Sequence, residues 1–371
     1  MRIDFVADAI FPYHKGGKEV RLHNLTTTLV AQGHEVHVHT MHWWPEPDDH
    51  KREDGVHLHA LCPAYPMYNG TRRSISQALK FSAACLKLVK VPFDHLDVDH
   101  MPYFPVLTTW AVAKLRRKRL YATWHEALDR PTWVKYMGPA GVIAHAVERV
   151  SVKLPDAIGT ASGVTREKLE TRHGRSDRVH VVGTGVDLDT VRATRPTPEK
   201  VDVLYVGRLV KDKQVSLLVD AMRLVLAEQP GTTCVLLGRG PETERLTRQI
   251  RTLGMSGQIR IIPEVPHASD VYAYMKRARV FVLPSNREGF GMVAAEAIAC
   301  GTPVVTVESP ENAATHLIEP GATGSICEPN PESLAEEILM WLRTNRRPDP
   351  ERVADKFDWQ KIAKRQVGVY R

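Results

Sequence analysis

A chain of 371 residues, 43% hydrophobic and 25% charged, is long enough for two domains and apolar enough to build cores, which excludes a disordered chain. No apolar run reaches the length of a membrane span, and the N-terminus MRIDFVADAIF runs into a strand without the basic region and cleavage site of a secretory leader. The net charge of +7 could serve nucleic acid, an anionic membrane surface or an anionic substrate, but no Lys/Arg run carries interleaved aromatics, so nucleic acid is not expected. The five cysteines (Cys62, Cys85, Cys234, Cys300, Cys327) are odd in number and lack C-x-x-C spacing. They predict reduced thiols, a cytoplasmic location and no zinc site.

In chain order, short apolar runs at 3–9, 34–40, 57–61, 96–100, 120–125, 157–162 and 179–183 predict strands. Helical periodicity at 18–32, 74–90, 105–117, 140–153 and 164–172 predicts helices between them. A polar stretch with two prolines, Thr194 to Lys200, reads as a linker. The alternation then restarts with strands at 202–207, 233–238, 258–263, 280–284 and 302–308, separated by helices at 213–228, 241–253, 269–277 and from Met292 onward. Strand–helix alternation implies parallel sheets covered on both faces, hence an α/β fold. The expected organisation is residues 1–193, a linker at 194–200, residues 201–352, and a last helix over 353–371.

The most informative segment is Ser285 to Val305. A buried strand leads into Glu288-Gly289-Phe290-Gly291, and Glu296 lies eight residues after Glu288. Val293, Glu296, Ala297 and Cys300 share one helical face, and Gly301 with Pro303 ends the helix. A glycine turn lets backbone approach a ligand, and the helix start offers unpaired N–H groups suited to phosphate. The carboxylates accept hydrogen bonds only, so hydroxyl-rich groups suit them: a ribose on one, a hexose on the other. An amphipathic helix with one buried glutamate is the simpler alternative.

Other constellations stand at strand ends. Gly16-Gly17 follows the first strand and precedes a helix, as a phosphate-facing loop or a plain turn would. Arg208 and Lys213, five residues apart after the 202–207 strand, could neutralise a diphosphate. His125 follows the 120–124 run. His37 and His39 share a strand face within an early group that includes His34, His42, His57 and His59, but no carboxylate sits at matching spacing and no metal site is expected. Asp97-Val98-Asp99 mimics a metal-binding D-x-D inside a strand and reads as coincidence. Gly238-Arg239-Gly240 lacks the third glycine and the following acid of a dinucleotide fingerprint. The basic stretches Thr71 to Lys90 and Lys114 to Arg119 read either as solvated helix faces or as a peripheral contact with anionic lipid.

The Glu288/Glu296 segment resembles the E-x7-E region of the family 4 retaining glycosyltransferases. TWHEA at Thr123, GTGVDL at Gly183, VGRLVKDKQVSLLVDAM at Val206, LGRGPETERL at Leu237 and FDWQKIA near the end extend the resemblance over nearly the whole chain. Thr184 stands where the family usually has asparagine. The resemblance implies the GT-B architecture: two Rossmann-like domains facing across a cleft, with the C-terminal helix crossing back to the first. It also implies transfer of a sugar from a UDP- or GDP-hexose to a hydroxyl acceptor (glycan, lipid or small aglycone) by a retaining, metal-independent, front-face route with no cofactor. Glu296 would then bind ribose, Ile262 and Val265 would line the base, and Arg208 and Lys213 would hold the diphosphate. The N–H groups around Phe290, Gly291, Met292 and Val293 would help with the diphosphate, Glu288 would orient the sugar, and Gly16, Gly17 and His125 would stand at the reacting centre. The loops 43–52, 63–73 and 129–138, rich in Trp and Tyr, would choose the acceptor. A sugar-phosphate synthase or phosphorylase on the same fold, or a non-catalytic nucleotide-sugar-binding protein, are the alternatives.

Overall fold

A computed structural model describes residues 1–69, 72–344 and 346–371. The chain divides into two units: Met1–Gly185 with Trp359–Arg371, and Val186–Asp358.

The first unit comprises β1 (Arg2–Val6), α1 (Gly17–Ala31), β2 (Glu35–His42), β3 (His50–Glu53), β4 (Val56–Pro63), the short pair β5 (Tyr68–Asn69) and β6 (Arg72–Arg73), α2 (Ile75–Ala84), β7 (His95–Asp99), α3 (Phe104–Leu115), β8 (Leu120–Trp124), α4 (Arg130–Met137), α5 (Gly141–Ser151), β9 (Ala157–Thr160), α6 (Gly163–His173) and β10 (Val179–Val181). Its sheet runs β10-β9-β8-β7-β1-β2-β4-β3, parallel except for β3. The second unit contains α7 (Leu188–Ala193), β11 (Val203–Val206), α8 (Val215–Glu228), β12 (Cys234–Leu237), α9 (Thr243–Thr252), β13 (Ile259–Ile262), α10 (Ala268–Arg277), β14 (Val280–Leu283), α11 (Met292–Ala299), β15 (Val304–Val307), β16 (Gly324–Cys327), α12 (Pro331–Arg343) and α13 (Pro350–Phe357). Its sheet, β13-β12-β11-β14-β15-β16, is all parallel. The last helix, α14 (Trp359–Val369), belongs to the first unit.

Both sheets are doubly wound. Each reverses direction beside its first strand, at β1/β7 and at β11/β14, so the loops leaving those strands diverge and open a crevice at their carboxyl ends. The sequence places buried strands there for a simple reason. Runs such as Val203–Val206 and Val280–Leu283 are apolar at every position because helices cover both faces of a parallel sheet.

The domain boundaries differ from those read in the sequence. Val186 and Val191 pack in the second core, and the Val186 N–H donates to the Phe357 carbonyl at 3.0 Å, so the first break falls after Gly185 rather than at 193. The single C-terminal helix expected over 353–371 is two helices interrupted at Asp358, whose ψ of 116° is extended. The reason is that Val353 and Phe357 are buried in the second core, whereas Trp359, Ile362, Ala363 and Val367 are buried in the first, under α1 and beside β9. The 74–90 helix continues past Ala84 only as a tighter 3-10 turn, and Thr71 of that basic stretch and Gly70–Thr71 of the 63–73 loop lie outside the described residues. The expected 129–138 loop is mostly α4, started by the Asp129 carboxylate accepting from the Thr132 N–H at 2.8 Å and by Pro131 in the first turn. The five cysteines are free, and no helix among the described residues is long and apolar enough to cross a membrane.

Candidate functional site

The second unit gathers Arg208, Lys213, Glu288 and the start of α11 at its β11/β14 crevice. The loop after β11 is tied to the turn after β14, because the Asn286 N–H donates to the Asp212 carbonyl at 2.9 Å. Lys213, in a 3-10 turn, donates from Nζ to Glu288 Oε1 at 2.5 Å, with both side chains largely buried. Glu288 is fixed from behind as well: its N–H donates to the Glu311 carbonyl, and its own carbonyl accepts from the Ala313 N–H. Buried Asn312 supports this turn by donating to the Val307 carbonyl and Thr306 Oγ1. The sequence assigned Lys213 to a diphosphate and Glu288 to a sugar; the structure adds that the two are an ion pair. Arg208, by contrast, is exposed and forms no ion pair with a described residue.

Gly291 has φ of 89°, and a Cβ there would lie 2.6 Å from the Ala314 Cβ, so only glycine lets the chain turn into α11. No side chain caps α11, which begins at Met292 and Val293 and so leaves its first N–H groups without a side-chain acceptor. Phe290 packs partly buried on the core, as do Ile262 and Val265. The Ile262 carbonyl already accepts from the Gly238 N–H at 2.8 Å, leaving Val265 the freer of those two base-lining candidates.

Glu296, one turn into α11, is the electrostatic centre of this half. Burial pushes its carboxyl up to about 7, no opposite charge offsets it, and it accepts no hydrogen bond from a described residue. Ser285, at the exit of β14, has a fully buried hydroxyl that likewise lacks a partner among the described residues. No sequence signal singled out Ser285, Asn312 or Asp212.

Gly238 and Gly240 are explained by packing. A Cβ on Gly238 would lie 1.9 Å from the Gly207 carbonyl oxygen and one on Gly240 2.2 Å from that of Leu209, so the pair lets the exits of β11 and β12 touch.

In the first unit Gly16 caps α1 without a side chain and Gly17 opens it. The next residue, Lys18, was not singled out in the sequence. Its Nζ donates to Asp8 Oδ1 at 2.9 Å and to Asp99 Oδ2 at 3.2 Å. His125 Nε2 lies 3.6 Å from the same Asp99 oxygen. Lys18, Asp99 and His125, with Arg21, Asp97 and Thr123, line a small pocket at the β1/β7 crevice. Burial would raise the Asp99 carboxyl, but the Lys18 ammonium and then His125 outweigh it and hold it far below the usual carboxylate range. His100 stacks on Trp124 at 4.6 Å, and burial pushes it down to about 3, so it is neutral. Asp99, His100 and His125 are close enough to share a cation, and the Lys18 ammonium sits on the same Asp99 carboxylate.

Asp97 is not incidental. Its Oδ2 accepts from Gln366 Nε2 and Tyr370 Oη, each at 2.8 Å, and its Oδ1 accepts from Thr123 at 3.1 Å, anchoring α14 to the sheet. The aromatic loops are also more committed than expected. Trp43 and Trp44 donate to the Asp8 and Asp48 carbonyls, and Trp133 is buried with its N–H on Glu148. Tyr68 and Tyr136 remain exposed.

Two family profiles match consecutive parts of the chain: Glycosyltransferase Family 4 over residues 15–190 and Glycosyl transferases group 1 over residues 189–356. The chain belongs to the family 4 glycosyltransferases. Among its relatives is a glycogen synthase of Mycobacterium tuberculosis, 29% identical over 100% of this chain and 94% of the relative. Another is a GDP-mannose-dependent alpha-(1-6)-phosphatidylinositol dimannoside mannosyltransferase of the same organism, 25% identical over 98% and 94%. The solved sucrose-phosphate synthase of Thermosynechococcus elongatus superposes with a TM-score of 0.80 at 20% identity, covering 100% of this chain and 98% of that one, which shows the shared GT-B fold. The family match spans both halves of the E-x7-E segment and both crevice-lining loops described above.

Proposed function

We propose that this glycosyltransferase moves a hexosyl group from a UDP- or GDP-hexose to a hydroxyl acceptor with retention at the anomeric carbon and without a metal ion. The observation that carries the reading is Glu296: a half-buried carboxyl, raised by its surroundings and without a donor among the described residues, one turn into a helix whose start no side chain caps. A nucleoside diphosphate supplies what each group lacks. Ribose hydroxyls donate to Glu296, and the diphosphate takes Arg208, Lys213 and the N–H groups of Met292 and Val293. Glu288, held by Lys213, accepts from the hexose hydroxyls. The C1–O bond to the diphosphate breaks through an oxocarbenium-like state, the acceptor oxygen bonds C1 on the same face, and the acceptor proton passes to the departing diphosphate oxygen. Charge on the leaving group falls to the chain's own cations and dipoles, which removes the need for a metal. The first unit's Gly16–Gly17 turn and its Lys18–Asp99–His125 corner are assigned to the acceptor side and the reacting sugar. The relative named for GDP-mannose supports a nucleotide-sugar donor. The exposed Ile75, Leu79 and Leu86 beside Lys80 and Lys90 would suit a peripheral contact with anionic lipid at the cytoplasmic face.

Incubating the chain with UDP-glucose or GDP-mannose, with EDTA present, tests the reading. Donor hydrolysis or transfer that survives EDTA and gives the axial anomer by proton NMR is expected. An inverted product, or activity abolished by EDTA and restored by manganese, would overturn the corresponding part. Sucrose-phosphate synthase as a fold neighbour keeps a sugar-phosphate acceptor as the second reading, and a panel of free sugars against their phosphates separates the two.

A further inference from the structure

We propose that Glu148 is a positioning residue of the sugar-transfer reaction. Through the Leu128 N–H and the Trp133 indole it holds the segment between β8 and α4 and so fixes His125, a role that rests on the assignment of the His125 corner to the reacting sugar. Helix α5, GVIAHAVERVS, inverts the usual amphipathic pattern: Ile143 and Val150 are exposed, whereas Glu148 is wholly buried. Gly141 brings α5 against α4, since a Cβ there would lie 2.3 Å from the Trp133 carbonyl oxygen. The one large side chain that α5 buries completely is therefore charged, and it points at the chain leaving the reacting corner.

The carboxylate spans two elements. Its Oε1 accepts from the Leu128 N–H at 3.1 Å, and its Oε2 accepts from Trp133 Nε1 at 2.5 Å. The same segment is tied from α6, where Thr165 Oγ1 donates to the His125 carbonyl and Arg172 to the Ala127 carbonyl, each at 2.9 Å. Carbonyls are thus held by one helix and an N–H by the other, and Glu148 joins that loop to α4. Within this frame His125 Nε2 stands 3.6 Å from Asp99 Oδ2. A charge is an expensive way to fill a buried position. Burial pushes the Glu148 carboxyl up to about 7, against the opposing hydrogen bonds from Trp133 and Leu128. His173 Nε2 lies 3.7 Å from Oε1, but burial pushes that ring down to about 4, so it is neutral and supplies no counter-charge. Glutamine would cost less to bury, but it offers one acceptor atom where two N–H groups need one each. Only a carboxylate of this length holds both donors at once, which sets the loop in a single geometry.

Donor hydrolysis by the full chain is followed with UDP-glucose and GDP-mannose, beside calorimetry with UDP and GDP. Glu148→Gln should lower kcat roughly tenfold or more while donor KM and the affinity for the nucleoside diphosphate stay within about twofold of the parent. Trp133→Phe keeps the packed ring and removes the indole donor, so it should lower kcat in the same direction with nucleotide affinity unchanged. The double variant should lose less than the product of the two losses, because both break one hydrogen bond. Hydrogen exchange over residues 125–133 should quicken in Glu148→Gln, and exchange in β14 and α11 should stay as in the parent. A parent inactive on both donors would overturn the donor reading and this proposal with it. An active parent with unchanged kcat in folded Glu148→Gln would overturn this proposal alone. So would a loss of kcat matched by an equal loss of nucleotide affinity, the mark of general destabilisation. If Glu148→Gln does not fold, Trp133→Phe decides, and a parental kcat there sinks the idea.

Discussion

Glu296→Gln tests the donor site most directly, because one atom changes and three readouts move in fixed directions. In the free protein, burial raises the Glu296 carboxyl from its ordinary value of 4.5 to about 7. A raised carboxyl binds more protons folded than unfolded, so its contribution is fully present below the unfolded value and is lost as pH rises from about 4.5 through 7. At about 1.36 kcal/mol per unit, the ionised side chain costs at most about 3 kcal/mol, less whatever solvent reaches it. Glutamine is never ionised. Glu296→Gln should therefore be at least as stable as the parent at pH 8, and the advantage should vanish near pH 4.5. Ligand binding should move oppositely. Ribose hydroxyls donate to a carboxylate more strongly than to an amide, by about 2 kcal/mol in all, so the variant should bind the nucleoside diphosphate roughly 30-fold more weakly at pH 8. In the parent, affinity should fall as pH drops below 7, because binding needs the ionised form and releases a proton; in the variant it should be flat. Calorimetry in two buffers of different ionisation enthalpy reads the proton directly. Ribose is remote from the reacting carbon, so KM should rise with kcat little changed. Equal affinity in parent and variant, a pH-independent parent, or a variant less stable at pH 8 would each refute the assignment of Glu296 to the nucleotide.

The remaining predictions follow the same geometry. Arg208→Ala, at an exposed residue without an ion pair among the described residues, should lower donor turnover roughly 10- to 150-fold through loss of about 1.5–3 kcal/mol, with the melting temperature unchanged. Glu288→Gln should lower kcat while the nucleoside diphosphate binds as well as before or more tightly, since Lys213 is released from its 2.5 Å partner; weaker binding in calorimetry would contradict this. Asp97→Ala removes the acceptor for Thr123, Gln366 and Tyr370 and should lower the melting temperature by several degrees. Because burial pushes Asp97 up to about 6, its contribution to stability should fall as pH rises from about 3.8 to 6, and Asp97→Asn, with little loss of activity, should flatten that slope in a denaturant titration.

How much of this was legible beforehand depended on whether a residue acts through its own pattern or through a distant partner. The doubly wound sheets were legible because short strands, fully apolar at Val203–Val206 and Val280–Leu283, alternate with helical stretches along both halves of the chain. Arg208, Lys213, Glu288, Gly291 and Glu296 were marked by a strand–turn–helix pattern, and the structure joins Lys213 to Glu288 at 2.5 Å. β3 was not legible: HKRE is polar throughout and becomes a strand only because the Asp54–Gly55 turn, with φ of 49° and 81°, folds it onto β4. The break at Asp358 was hidden for a related reason. Either half of 350–369 is a good amphipathic helix, and only the two cores decide that Phe357 and Trp359 face different ways. Asp97 was read as incidental because its partners, Gln366 and Tyr370, lie some 270 residues along the chain.

The two crevices share a topology but differ in the state of their cations, and that difference argues for the division of roles. In the first unit Lys18 is fully engaged: Asp8 and Asp99 hold it at 2.9 and 3.2 Å, and its ammonium is held well above the usual range, as burial is outweighed by those carboxylates. Arg73 is likewise paired with Asp8. Such cations are neutralised within the fold and attract a diphosphate weakly, but they keep Asp99 ionised beside His125. In the second unit the charge is left open. Arg208 is unpaired among the described residues, the α11 start is uncapped, and the single carboxylate facing Lys213 is one that a sugar hydroxyl could share. A phosphate binds where positive charge is not already spent, which supports the proposal that the second unit takes the diphosphate and the first orients polar groups about a neutral hydroxyl.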